Sequence, residues 1–180
     1  MTAFVALLRG VNVGGRTQVP MARLKTIAET LGLTEPRTLL QSGNLVFRTD
    51  RTDVAALART LESAVAEAFC HGPDVLLRDA AVWEAAIAAN PFAEVARRHP
   101  SQSLVMALRD APAASAITAL VESATGDEQA AVVGSHAYFV FPAGISKTKL
   151  TNARIERLLG TRGTARNWNT VEKIAAALGG

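Results

Sequence analysis

Two short stretches carry the side chains best suited to meet a charged ligand. The first is Arg9-Gly10-Val11-Asn12-Val13-Gly14-Gly15-Arg16, a glycine loop between two arginines. Such a loop, set between a strand and a helix, can aim backbone N–H groups at phosphate. It matches neither GxGxxG nor GxxxxGK[ST], so neither nucleotide fingerprint is present. The plainer explanation is that Gly14 and Gly15 permit a positive-φ turn while Arg9 closes a strand. The second stretch is Thr164-Ala165-Arg166-Asn167-Trp168-Asn169-Thr170. An arginine beside a tryptophan can pair with phosphate and stack on a base. Asn169, with Glu172 three residues on, also suits a helix cap, and Trp168 suits a buried anchor. Arg166 and Asn167 are not needed by that cap.

Three smaller features complete the chemical inventory. Ser146-Lys147-Thr148-Lys149 sets two cations and two hydroxyls before an expected helix, with Lys147 a candidate anion contact. In Gln41-Ser42-Gly43-Asn44, Ser42 lacks the G-x-S-x-G setting of a nucleophile and reads as a turn residue. Asn44 can present its amide to a ligand or stabilise that same turn. His71, His99 and His136 are dispersed, and Cys70 is the only cysteine, so neither a structural metal nor a disulfide is expected. His71 and His136 read as surface residues and Cys70 as core. No cofactor is expected.

The elements that must position these residues follow from periodicity and turn chemistry. FVALLRG (4–10) reads as a buried strand, and Pro20 opens a helix that Gly32 stops. TLLQSGNLVFRT (38–49) reads as a hairpin, Thr52-Asp53 as the cap of a long helix, and DVLLR (74–78) as a strand. That order is β-α-β-β-α-β, the ferredoxin-like pattern. After a helical connector interrupted at Asn90-Pro91, the order recurs: strand 103–109, helix 112–124, a hairpin around Gly134-Ser135, helix 148–159 and strand 164–166. NTVEKIAAAL then adds a C-terminal helix. The expected fold is therefore α+β, with two ferredoxin-like halves. Residues 1–78 form the first half, 79–100 the connector, and 101–180 the second half with its extra helix. No residue-level repeat is visible.

Composition bounds the setting. The 180 residues are 49% hydrophobic and 19% charged, which excludes a disordered or collagen-like chain. No apolar run reaches the ~18–20 residues of a membrane-spanning helix, and residues 1–8 are too short for a signal-peptide core. A reducing cytosol fits the single cysteine. Charge is uneven. Residues 1–51 hold seven basic and three acidic groups, residues 145–180 seven and two, and the middle five and eleven. The basic ends would form one anion-attracting face if they met in space; otherwise they solvate separate faces.

LLRGVNVGG near the start, LLQSGNLVF around 39–47, ISKTKL at 145–150 and ARNWNTVEK at 165–173 together resemble a bacterial family catalogued as domain of unknown function 1697. The resemblance spans nearly the whole chain. It implies a small cytosolic bacterial α+β protein, and it carries no established activity or catalytic residue.

Three functions compete. A binding module for a phosphate-bearing small molecule or nucleic acid would use Arg9, Asn12, Gly14, Gly15, Arg16, Ser42, Asn44, Lys147, Arg166, Asn167 and Trp168. Aromatic residues make up only 5% of the chain and no RNP-like run is present, which favours the small molecule over RNA. A small enzyme would use Asn12, Ser42, Asn44, Arg166 and Asn167, but shows no acid/base pair. In an interaction protein without a ligand, all these motifs would be turns and caps.

Overall fold

In the computed structural model, which describes residues 1–12, 18–70 and 72–179, eight strands form two four-stranded antiparallel sheets accompanied by seven α-helices. The first half runs β1 (Thr2–Leu8), α1 (Met21–Thr30), β2 (Thr34–Leu39), β3 (Asn44–Thr49), α2 (Val54–Phe69) and β4 (Val75–Asp79). Its sheet has the order β2-β3-β1-β4. Helices α3 (Ala80–Ala88) and α4 (Ala93–Arg98) follow, broken around Asn90-Pro91. The second half runs β5 (Ser103–Leu108), α5 (Ala114–Glu122), β6 (Gln129–Val133), β7 (His136–Val140), α6 (Asn152–Leu159) and β8 (Gly163–Asn167), with the sheet order β6-β7-β5-β8. Helix α7 (Trp168–Gly179) ends the chain. The β-α-β-β-α-β order expected from the sequence is thus present twice. The chain divides into two compact units, Met1–Trp83 with Lys173–Gly180, and Glu84–Glu172.

Burial explains why β1 is an unbroken apolar run. Phe4, Ala6 and Leu8 face a core built with Leu24 and Ala28 of α1 and Leu57, Leu61 and Val65 of α2. Val5 and Leu7, on the opposite face, are also buried. A sheet with one wet face would alternate apolar and polar residues; a sheet covered on both faces need not. Phe4 lies opposite Phe47 in the register, and their rings stack at 6.0 Å. In the second half, Met106, Leu108, Ala137 and Phe139 meet Leu120 and Ile155, while Val105, Tyr138 and Val140 are buried on the other face.

Helix boundaries follow local chemistry. Asp53 caps α2, accepting from Ala56 N at 2.8 Å, and Thr151 caps α6, accepting from Arg154 N. Helix α6 therefore starts later than the expected residue 148. A single 3₁₀ turn at Ile145–Lys147 and an extended Thr148 come first. Two burial expectations are corrected. Cys70 is exposed, because it terminates α2 in a left-handed conformation (φ 53°) and so turns off the buried helix face. His136 is buried, because it opens β7, a central strand covered on both faces. His99 is exposed, and His71 lies outside the described residues.

Tyr138 donates its hydroxyl to the carbonyl of Ala86 at 2.7 Å, and burial pushes its pKa up to about 12. Between about 10 and 12 the folded protein keeps a proton that the unfolded chain has lost. The contribution of this group to stability therefore falls as pH rises through that window. Tyr138 is the only tyrosine, so absorbance at the phenolate band reports it alone. We expect a midpoint near 12 in the folded protein and near 10 in denaturant; coincident midpoints would show that the hydroxyl is not held in this environment.

Candidate anion-binding site

Chain segments distant in sequence meet at the end of β1. Leu8 N donates to Gly43 O and Arg9 N to Asp74 O, both at 2.9 Å, so the strand's exit is pinned to the β2–β3 turn and to the approach to β4. Asn12 then bonds to Val19 and to the hairpin. Its amide donates to Gln41 O at 2.6 Å and to Val19 O at 3.0 Å, and its oxygen accepts from Val19 N at 2.8 Å. A φ of 56° at Asn12 suits asparagine, which tolerates the left-handed region better than most residues. One side chain thus ties Val19 to the exit of β1 and both to the hairpin. Beside it, a hollow of about 260 Å³ is lined by Asn12, Gln18, Val19, Pro20 and Gln41.

The turn is equally constrained. Asn44 is fully buried and donates to Leu39 O at 2.8 Å and to Ser42 Oγ at 2.9 Å. Gly43 holds φ 74°, and a Cβ there would lie 2.5 Å from Val11 Cγ2 and 2.9 Å from Leu8 Cβ. Ser42 is thus a turn residue whose hydroxyl accepts from Asn44. Arg9 is 37% exposed at its side chain and lies 3.7 Å from Asp74. The expected site residues Arg9, Asn12, Ser42 and Asn44 therefore stand on adjoining segments at one end of the first sheet. Gly14, Gly15 and Arg16 lie outside the described residues.

The Arg-Asn-Trp-Asn segment is placed differently. Arg166 lies opposite Val105 in the register and is 7% exposed. Its Nη1 donates to Thr164 Oγ1 at 2.7 Å and to Ala165 O at 2.9 Å. Burial lowers its pKa to about 10, since the charged form loses hydration. Asn167, not Asn169, caps α7, its oxygen accepting from Thr170 N at 3.0 Å and from Thr170 Oγ1 at 2.9 Å. The strand runs straight into the helix, so the cap comes two residues earlier than the sequence suggests. Trp168 is 4% exposed, and its indole N–H donates to Glu172 at 2.9 Å. Lys147 is exposed in the 3₁₀ turn before α6.

An internal repeat appears here that the sequence does not reveal. Leu108 N donates to Ser135 O and Arg109 N to Arg162 O, repeating the bonds of Leu8 and Arg9. Arg78 lies opposite Val5 as Arg166 lies opposite Val105. Arg78 Nη1 likewise donates to the preceding carbonyl, Leu77 O, and burial lowers its pKa. Asp79 accepts from Val82 N at the start of α3, as Asn167 accepts from Thr170 N in α7. The connector helix and the C-terminal helix are therefore corresponding elements. Among the described residues, no group of three or more His, Cys, Asp or Glu side chains is placed to hold a metal ion. Among the described residues no helix is long and apolar enough to cross a membrane.

The model of a family described as "Protein of unknown function (DUF1697)" matches residues 1–138. The chain belongs to this family. The match includes the glycine loop and the Ser42-Gly43-Asn44 turn that the structure joins. Among solved structures, the DUF1697 chain is similar to the conserved bacterial protein SP0830 from Streptococcus pneumoniae. The identity is 26%, with 98% of each chain covered and a TM-score of 0.74. No functionally curated protein matches it.

The clamp makes a direct prediction. Gly43→Ala should destabilise the fold by about 2–4 kcal/mol through the left-handed backbone and the clash with Leu8 and Val11. Asn12→Ala should cost about 1–3 kcal/mol by stranding Val19 and Gln41 backbone groups. Denaturant melts would check both, and wild-type midpoints would mean that the loop is not held as described.

Proposed function

We propose that this protein is a cytoplasmic binding module for a phosphate-bearing small molecule, received at the end of the first sheet beside Arg9. The observation that carries this reading is the Asn12 clamp. Three hydrogen bonds of one side chain tie Asn12 to Val19 and to Gln41 at the hairpin turn, which fixes the backbone close to Arg9. A clamp spanning such different segments is more than a plain turn requires. Arg9 is half-exposed beside this clamp, so its guanidinium is within reach of an anion arriving from solvent.

A small phosphate ligand is favoured over nucleic acid by the placement of Trp168. A buried indole committed to Glu172 offers no face for base stacking. Arg166 is given to the sheet, and its role in this reading is to support the ferredoxin-like second half. Residues 1–78 and 101–180 act as two such halves around the 79–100 connector. A small enzyme with a polar Asn/Ser/Arg site is the second reading, supported by the adjacency of Asn12, Ser42 and Asn44.

Thermal-shift and calorimetric titrations with inorganic phosphate, a mononucleotide, and a short single-stranded RNA would test the proposal. The mononucleotide should raise the melting temperature, the RNA should bind no more tightly, and Arg9→Ala should weaken binding by about 1.5–3 kcal/mol. Binding by RNA alone, or an Arg9→Ala variant that binds as wild type, would overturn it.

A further inference from the structure

A hollow of about 230 Å³ opens between the second sheet and the start of α6. Leu104, Phe139, Phe141, Ile155 and Ala165 form its apolar wall. The rings of Phe139 and Phe141 stack at 5.7 Å, and the whole wall belongs to the core that α5 and α6 cover. The other side is polar. Ser146, Thr151 and Asn152 stand there exposed, and Thr148 is half-buried.

The internal repeat shows how the space arises. Phe4 lies opposite Phe47 in the first half, and Leu104 opposite Phe139 in the second. Leu77 lies opposite Ala6, and Ala165 opposite Met106. The second half therefore carries leucine where the first has phenylalanine, and alanine where the first has leucine. Helix α2 has 16 residues, whereas α6 has 8. Before α6 the chain runs instead through the 3₁₀ turn, where Gly144 N donates to Phe141 O at 2.9 Å and Lys147 N to Gly144 O at 3.0 Å. Two smaller side chains and a helix half as long leave the hollow. The first half follows the same plan with the larger residues, so the scaffold does not require the space.

Size and chemistry limit what fits. A cavity of ~150 Å³ lined by Leu, Ile and Phe admits benzene, and drug-sized sites begin at ~300 Å³, so a single ring suits this one. At the polar side, Thr148 Oγ1 accepts from Leu150 N at 3.0 Å and Thr151 Oγ1 from Arg154 N at 3.3 Å, which fixes both oxygens. A hydroxyl that accepts still has its proton to donate. Residues 145–154 include Lys147, Lys149 and Arg154 and no acidic residue, so this rim favours a negatively charged acceptor. We infer that the hollow binds a small aromatic carboxylate, its ring against Phe139 and Phe141 and its carboxylate at the hydroxyls of Thr148 and Thr151. Binding here does not require Arg9.

Calorimetric titration with benzoate, and with benzyl alcohol as the uncharged comparison, tests the inference. Wild type should bind benzoate, and about fivefold or more tightly than benzyl alcohol, since hydrogen bonds to an ionised acceptor are the stronger ones. Ala165→Leu gives the second half the residue found in the first and should weaken benzoate binding about tenfold or more by filling the hollow. Circular dichroism and the melting temperature show whether this variant folds. Should overpacking unfold it, Leu104→Phe fills the same space and should have the same effect. No benzoate heat in wild type, equal affinity for benzyl alcohol, or wild-type benzoate affinity in a folded filled variant overturns the inference.

Discussion

Each half depends on two backbone hydrogen bonds made where its first strand ends. The N–H groups of Leu8 and Arg9 reach Gly43 and Asp74, and those of Leu108 and Arg109 reach Ser135 and Arg162. These bonds bring the hairpin turn and the approach to the last strand to the exit of the first strand. Three loops are thereby gathered at one end of each four-stranded sheet. Buried N–H groups need partners, so the two bonds also fix how far each strand can slide. The tightness around Gly43 follows from this: with Leu8 and Val11 packed against the turn, only a residue without a side chain fits.

Sequence patterning revealed the fold more fully than the site. The buried run FVALL, the Ser42-Gly43-Asn44 turn and Asp53 before an apolar helical face are local signals, and local bonding bears them out. Cys70 and His136 differ from expectation for two reasons, one local and one set by strands distant in sequence. Cys70 sits on an apolar helical period, but the helix ends there in a left-handed residue. His136 lies beside a glycine turn, but it opens a strand flanked on both sides by others. The second of these facts cannot be read from a window of neighbouring residues.

The repeat was hidden for a related reason. What the halves share is a leucine and arginine leaving the first strand, and an arginine before an amide or carboxylate cap leaving the last. These pairs are short and stand at unequal separations, because the intervening helices and loops differ in length. Register reveals what alignment cannot: Arg78 opposite Val5, and Arg166 opposite Val105. Arg166-Asn167 attracted a ligand reading because neither residue was needed by a cap at Asn169. Once the cap is Asn167 itself, both are accounted for by the strand-to-helix junction.

The repeat also separates what the scaffold requires from what it leaves open. Backbone bonds at the strand exits are kept in both halves, since each sheet needs them. Side chains there are under no such constraint, and they diverge: glycine and asparagine follow Arg9, while aspartate follows Arg109, and Asp74 is answered by Arg162. At the first exit a carboxylate faces an arginine, and at the second Arg109, Arg157 and Arg162 share one cleft with Asp110 and Glu156, so charges of both signs meet at each exit.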